Sequence, residues 1–473
     1  MQDLEYLFRR TNAHYKENKE IWQRSAAAYR GGETYLRQAL IRHVSEIDLE
    51  FAERLKRAYY FNYPRRLAGL ITQSVLAAEP QRENLNIEAA EDFSRTGLRV
   101  NEVMRQVSTL LNLFGTAVMT VEMPFFQGEM DSERKRRERI RPAVRALSPL
   151  QVPDWAFSSD GELEWLITEE EQLLDRGPCE PPVRVLRRKL FTRRETVLYE
   201  RIPESGKIVE LSRSRHDLGC VPALYLTEPE GYGINGGHYF EDVVRISDAI
   251  LNNESEAQMN VVKQMFGLLV ISEGFARGAR PAANGNTGGQ EKFSHVLARS
   301  AAIWESPEER GISRYISPSG ADTAMIREEN LALKNELFEI IGMGLVSSGR
   351  KNQTAESKAW DFHQVKQFLV SRAELLEQSE LRCWELMAQM DHSIPVPRIS
   401  YNREFAVTDL QSTISSLMDL KRFSGGSEYR REVARTALAL LEKIKRIDPA
   451  RRKNILQEIE NWQTRNGEND NVQ

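Results

Sequence analysis

Cysteine is scarce in this chain: Cys179, Cys220 and Cys383 are the only three in 473 residues, with no CxxC pair and no histidine at metal-ligand spacing. That excludes a disulfide framework and a zinc site of ordinary spacing, and it fits a chain kept in a reducing compartment. No apolar run approaches the roughly 20 residues that span a bilayer; the longest are residues 266–271 and the interrupted stretch 110–121. The opening stretch MQDLEYLFRRTNAHYKENKEIW is charged throughout and has none of the apolar core of a secretory signal. Neither export nor a transmembrane helix is expected. An excess of basic charge is missing as well. Lys plus Arg number 65 against 69 Asp plus Glu, a net charge of −4, so the chain is no simple cationic coat for nucleic acid. Glycine and proline, at 28 and 18, are at ordinary levels, which rules out collagen-like and low-complexity classes.

What remains is a globular chain with 41% hydrophobic residues, long enough for about two to four modules. Apolar positions near three- and four-residue spacing predict helices across residues 3–76, punctuated by Gly31-Gly32 and Pro64, and again over 101–114, where Gly115 is the stop signal. A strand is expected over 117–122. Residues 128–142 are too polar to pack and read as a projecting loop. Five short runs rich in β-branched residues follow, at 144–147, 163–168, 183–191, 196–202 and 207–211, separated by turn residues in the manner of an antiparallel meander.

After a further strand at 221–226, residues 238–264 predict a long helix whose middle, NNESE, is unusually polar. Residues 266–271, 301–305 and 312–316 predict three short strands around a flexible excursion. Asp322 is the expected N-cap of a second helix reaching about 341. Beyond a polar stretch at 346–354 a very long helix is expected over 355–390, then a short strand at 398–401. Helices are expected over 409–421, 428–447 and 449–462, with a hinge at 424–427 and a disordered tail. The fold class is mixed α+β.

No catalytic constellation emerges. Gly231, Gly233 and Gly236 form a GxGxxG between a strand and a helix, the context of a dinucleotide fold, and the alternative function is therefore an NAD(P)-dependent oxidoreductase. Against it, Glu228 and Glu230 place negative charge where a pyrophosphate would sit, and the next strand-end acid, Glu273, lies 37 residues past Gly236. A plain turn is the simpler reading. The stretch from Gly344 to Lys351 resembles a Walker A loop but carries Arg350 where the phosphate-gripping lysine belongs and follows a helix. His363 lacks the second histidine of a metal-binding HExxH. No cofactor or metal is expected. The basic run Arg134, Lys135, Arg136, Arg137 and Arg139 fits either contact with nucleic acid or an acidic protein face, or a solvated loop, and no aromatic residues interleave it. The C-terminal basic clusters at Arg430, Lys445 and Arg451 mix with glutamates and read as a solubilising face.

Three local motifs in fixed order point elsewhere: RPAVRALSPLQVPDW from Arg141 to Trp155, DGELEW from Asp160 to Trp165, and DLGCVP from Asp217 to Pro222. With the paired helices, small insertion and polar loop downstream, they resemble the portal proteins of tailed bacteriophages over almost the whole chain. The resemblance implies a non-enzymatic subunit of a ring, usually of twelve copies, at the unique vertex of the virion capsid, through which double-stranded DNA is packaged and ejected. It further implies a wing over 1–237, stem helices over 238–264 and 322–343, and a clip over 265–321. A tunnel loop would occupy 344–354, a long kinked wing helix and return strand 355–407, and a helical crown and tail 408–473. By the same resemblance the clip would dock the large terminase subunit and then the head-to-tail adaptor. The wing would face the major capsid protein and, during assembly, a scaffolding protein.

The expected DNA-contacting loop comprises Val346, Ser347, Ser348, Gly349, Arg350, Lys351, Asn352 and Gln353, with Gly349 for mobility and Arg350 and Lys351 for transient phosphate contact. The acidic residues Glu254, Glu256, Glu328, Glu329, Glu336 and Glu339 fall on the two expected stem helices. They either line a channel that repels DNA or are ordinary exposed helix charges, and the sequence leaves open which face is inward. No nucleotide hydrolysis is expected of this chain; the motor's ATPase would belong to the terminase.

Overall fold

Short apolar stripes and frequent breakers make the N-terminal part a set of brief helices rather than a few long ones. The structure is a computed structural model and describes residues 4–44, 46–124, 140–175, 177–203, 205–227, 239–265, 268–272, 302–305, 314–316, 320–340, 355–405, 427–444 and 449–460. Five helices cover the first stretch: α1 (Leu4–Arg9), α2 (Ala13–Arg30), α3 (Glu33–Ala39), α4 (Asp48–Arg57) and α5 (Tyr63–Val75). Their boundaries have local causes. The Asn12 side chain caps α2 by accepting from the His14 N–H at 2.9 Å. Gly31, at φ 67°, ends α2, and a Cβ there would stand 3.1 Å from Asn62 Nδ2. Asn62 in turn caps α5, where Pro64 fits the first turn.

After α6 (Ile87–Glu91), helix α7 (Val100–Phe114) buries Val103, Met104, Val107 and Leu111, and Gly115 closes it in the left-handed region at φ 66°. The chain reverses directly into β2 (Thr116–Glu122). That strand is central to an antiparallel sheet ordered β3-β2-β9, with β3 at Ala143–Leu147 and β9 at Ala223–Thr227. Ala117, Val118, Met119 and Val121 are fully buried, which explains the near-continuous apolar run of β2.

A five-stranded antiparallel meander is present in simple order, β4 (Asp154–Phe157), β5 (Leu163–Leu174), β6 (Val183–Thr192), β7 (Glu195–Arg201) and β8 (Ile208–Arg215), but its first strand is not the expected 144–147, which is β3 and pairs with β2 in the other sheet. Two boundaries differ from expectation. β5 runs six residues past Thr168, through EEEQLL, because its acids stand opposite the basic strand β6, with Glu169 on Arg188 and Glu170 on Arg187 in register. β8 extends to Arg215 on the same principle, Arg213 pairing with Glu195 and Glu210. Charge complementarity holds these segments, so an apolar alternation pattern passes over them.

Two longer helices follow, α8 (Tyr239–Met265) and α9 (Gly320–Ile340), and between them lies a small mixed sheet of β10 (Leu268–Ser272), β11 (Ala302–Glu305) and β12 (Arg314–Ile316). In it β10 is central, parallel to β11 and antiparallel to β12. Asp322 is not the N-cap of α9: the helix already starts at Gly320, which puts Asp322 inside its first turn. Helix α10 (Ala355–Met390) is continuous over 36 residues, and β13 (Arg398–Ser400) returns to pair antiparallel with β1 (Gln81–Glu83).

The main core is built from α2, α5, α7, α8, α9 and strands of both larger sheets. Trp22, Leu67, Ile71, Phe114, Val118, Trp155, Leu166, Phe191, Phe240, Val243, Ile250 and Leu337 belong to one buried cluster. Residues Met1–Glu404 form one compact unit and Phe405–Gln473 a second. The second contains helices α11 (Ser427–Ile444) and α12 (Pro449–Glu460), close to the helices expected there. The expected helix over 409–421 lies outside the described residues. Helices and largely antiparallel sheets together make the fold α+β, as its sequence predicted.

Candidate functional site

Helices α8 and α9 run antiparallel, and their contacts follow one register: Asn260 Nδ2 donates to Thr323 Oγ1 at 3.3 Å, and Asn253 Nδ2 to Asn330 Oδ1 at 3.1 Å. The Asn330 amide then donates to Glu254 at 3.0 Å, and Lys334 approaches the same carboxylate at 3.6 Å. Within the unusually polar NNESE stretch, Asn253 and Glu254 therefore form the inner seam of a helical hairpin. Nearer the main core the hairpin turns apolar, with Phe240, Val243 and Ile250 on α8 and Leu337 on α9 buried together. The β10-β11-β12 sheet is inserted at the far end. An apolar root, a polar seam and a small three-stranded sheet thus follow one another along the chain.

The opposite face of α8 is clamped to the N-terminal helices by buried polar groups. Asp248 accepts from Arg24 Nη2 at 2.6 Å and from the Tyr35 hydroxyl. Burial first, and then the hydrogen bond to Asp248, push the Tyr35 hydroxyl well above its usual value, so it stays a donor. Asn252 accepts from the Ile41 N–H at 2.8 Å and donates to the Ala39 carbonyl at 3.0 Å. Arg54 is buried and grips Glu46 through two nitrogens at 2.8 and 2.7 Å, the Ile41 carbonyl at 2.6 Å, and Ser255 on α8 at 3.5 Å. The Arg54 guanidinium holds the Glu46 carboxyl below the usual carboxylate range. None of these partners was singled out by sequence; their only signal was the polarity of α8 at positions that periodicity marks as buried.

The acidic residues on the hairpin separate into two groups. Glu254 is half-buried and turned into the seam, whereas Glu256, Glu328, Glu329, Glu336 and Glu339 are exposed. Among the described residues no group of three or more His, Cys, Asp or Glu is placed to hold a metal. The loop from Val346 to Gln353, the basic run 134–139 and the GxGxxG at 231–236 lie outside the described residues. The strand that leads into the GxGxxG, β9, is paired antiparallel with β2. A dinucleotide fold requires that strand in a parallel sheet, so its context is missing.

The three ordered motifs converge. Asp154, in the first, accepts from Trp165 Nε1 of the second at 3.0 Å and from Arg10 Nε at 2.6 Å. Trp155 stacks on Tyr225 of β9 at 4.8 Å, just beyond the third motif, whose Val221 is buried in the main core. They mark where the two sheets and the N-terminal helices meet, so their job is packing.

An open cleft of about 1040 Å³ at the β7-β8 end of the meander mixes both signs, with Arg193, Arg194, Arg215 and His216 beside Glu164 and Asp217. Burial, opposed by Asp217 and Glu195, lowers the His216 pKa, and neither of its buried ring nitrogens has a hydrogen-bond partner. Cys383 is buried, and burial pushes its thiol far above the usual range, which makes it inert rather than nucleophilic. Among the described residues no helix is long and apolar enough to cross a membrane.

No family model matches the sequence, and no curated protein matches it. Among solved structures, the chain aligns with one from the neck of an empty GTA particle computed with C6 symmetry, at 10% identity and a TM-score of 0.38, over 78% of this chain and 89% of that one. It also aligns with a chain from the virion of a native gene transfer agent particle, at 11% identity and a TM-score of 0.39, over 87% of this chain and 98% of the other. Likenesses of this strength leave the function to the residues themselves.

Proposed function

We propose that this chain is the subunit of a portal ring, whose α8-α9 hairpins stand side by side as the wall of a channel for double-stranded DNA. The observation that carries the reading is the hairpin itself: rooted in the main core, held by a polar seam and carrying a small separate sheet at its far end. Helices α8 and α9 each contain five acidic and two basic residues. Six net negative charges per hairpin suit a conduit that must not hold its cargo. Each cation paired with phosphate adds a salt-dependent increment of binding, and a strongly paired duplex would not slide.

In this reading the inserted β10-β11-β12 sheet is the clip, which docks the large terminase subunit during packaging and the head-to-tail adaptor afterwards. The helices and sheets before residue 238 form the wing, facing the major capsid protein. The loop from Val346 to Gln353 is the tunnel loop, and the unit from Phe405 onward is the crown. The chain supplies geometry and no catalysis; the packaging motor's ATP hydrolysis belongs to its partner.

Native mass spectrometry with negative-stain imaging of the purified full chain tests the proposal. A ring near twelve times 54.4 kDa, about 653 kDa, with an open centre is the expected result. A chain that stays monomeric at high concentration and binds NAD would overturn it in favour of a dinucleotide enzyme.

A further inference from the structure

The chain leaves its first compact unit along α10. After β13, residues 401–404 run back beside the helix, and the first unit ends at Glu404. Helix α10 meets them with three carboxylates at three-residue spacing, Glu374, Glu377 and Glu380, which are neighbours on the helix surface. All three are used. The Tyr401 hydroxyl donates to Glu380 Oε2 at 2.6 Å, and the Tyr401 N–H donates to Glu377 Oε2 at 2.8 Å. Arg403 takes the next step, with Nη2 donating to Glu377 Oε1 at 2.9 Å and Nη1 at 3.4 Å from Glu374 Oε1. Rising numbers on the strap meet falling numbers on the helix, so the strap lies antiparallel to α10.

Burial is graded along this row. Tyr401 and Glu380 are 3% and 0% exposed, whereas the side chains of Glu377, Glu374 and Arg403 are 20%, 45% and 51% exposed. The inner end is fixed, because Glu380 is buried with Arg82 as its counter-ion and breaking such a pair strands a charge in the interior. The outer end is held far more weakly. An exposed ion pair shifts a local equilibrium by no more than about fivefold, and salt weakens it further. Glu377 joins the two regimes, with one oxygen on the Tyr401 backbone and the other on Arg403. The piece beyond the pivot is already shaped: the Asn402 side chain accepts from the Glu404 N–H at 3.1 Å and donates to the Glu404 carbonyl at 3.2 Å.

We infer that residues 402–404 form a latch on α10, which Arg403 closes on Glu374 and Glu377 and which opens about a pivot kept in place by Tyr401 and Glu380. Opening frees Asn402, Arg403 and Glu404, about 10 Å of extended chain, just ahead of Phe405, where the second unit begins. The tether to that unit therefore has a short and a long setting, chosen by the ionic surroundings of one guanidinium. The latch lies wholly within one chain, so it stands whether or not the ring forms.

A nitroxide spin label on Glu404→Cys in the full-length chain tests it, with Cys179→Ser and Cys220→Ser in the background because only Cys383 is buried. The docked and released settings give separate immobile and mobile components in the spectrum. The mobile population is expected to rise about two- to fivefold between about 50 mM and about 500 mM NaCl. In Glu374→Gln, which removes a carboxylate from Arg403 and leaves the pivot intact, it is already raised at low salt. A label on Arg398→Cys in β13 stays unchanged throughout. A mobile population at residue 404 that ignores both salt and Glu374→Gln overturns the latch. A label at residue 398 that loosens in step overturns the fixed pivot, since the whole β1-β13 ribbon is then opening. A lowered thermal midpoint in Glu374→Gln also overturns the inference, by assigning the mobility to a general loss of stability.

Discussion

Arg82 and Glu380, 298 residues apart, form a two-pronged ion pair, with Nε to Oε1 at 2.6 Å and Nη2 to Oε2 at 2.8 Å. Their side chains are only 8% and 0% exposed. Glu380 also accepts from the Tyr401 hydroxyl at 2.6 Å and Trp384 Nε1 at 3.2 Å. The β1-β13 ribbon is thereby fastened to α10 through one carboxylate. Burial and the Glu380 charge push the Tyr401 hydroxyl well above its usual value, which keeps it a donor to that carboxylate.

Removing one partner leaves the other charge buried without its counter-ion, so Arg82→Ala or Glu380→Ala is expected to lose about 3–5 kcal/mol of stability. Replacing both by apolar residues of similar size, Arg82→Met with Glu380→Leu, recovers most of that loss. Urea unfolding of the two single variants and the double variant decides the matter; additive losses in the double variant would contradict the buried-pair account.

Arg188 of β6 pairs with Glu169 at 2.6 Å and donates to the backbone carbonyls of Leu7 and Arg10 at 2.6 and 3.1 Å. It ties the first helix to the meander. Arg188→Ala is expected to release α1, exposing the chain before residue 12 to limited proteolysis and reducing stability by about 1–3 kcal/mol as those carbonyls lose a charged donor. An unchanged cleavage pattern would show that α1 is held by Phe8 and its apolar neighbours alone.

The pKa of His216 is lowered from its ordinary 6.5 by burial. The folded chain therefore binds a proton there less readily than the unfolded chain does. Its contribution to stability is complete above the unfolded value and is lost as pH falls through about 6.5 toward the lower folded value. His216→Gln should flatten the decline in the urea midpoint between about pH 7.5 and about pH 5, with little change at the upper end. Parallel wild-type and variant profiles would rule His216 out as a source of that decline.

Arg350 and Lys351 are proposed to touch the DNA backbone in passing. Replacing both with glutamine should leave ring mass unchanged while lowering the amount of DNA packaged or retained per particle. It should also weaken the salt dependence of DNA binding, whose slope scales with the number of phosphate contacts. Full heads of unaltered DNA content would remove these residues from the DNA path.

The long helices were legible because tertiary packing reinforced their periodicity: Phe240, Val243 and Ile250 show the spacing, and all three are buried in the main core. The meander was legible where its strands alternate. It was missed where charge pairing replaces alternation, as from Glu169 to Leu174, and at Asp154–Phe157, where β4 is short and follows two prolines at Pro149 and Pro153. The site was legible mainly as composition. Glu254 reads like its acidic neighbours, yet its burial against Asn330 depends on a residue 76 positions away. The Arg54-Glu46 clamp was invisible because two opposite charges eight residues apart read as ordinary surface until the fold buries them.

Helix α8 has 27 residues, so at about 1.5 Å per residue it is a rod about 40 Å long. Its seam with α9 changes character along that length, from an apolar anchor at Ile250 and Leu337 to amides and a hydroxyl at Asn253, Asn330, Asn260 and Thr323. Amide and hydroxyl groups exchange partners over small displacements without uncovering apolar area, whereas the interlocked root does not yield in that way. A load applied at the β10-β11-β12 sheet would then be absorbed as shear between the outer halves of the two helices and spent before it reached the core. The hairpin would behave as a lever with a stiff fulcrum and a compliant arm.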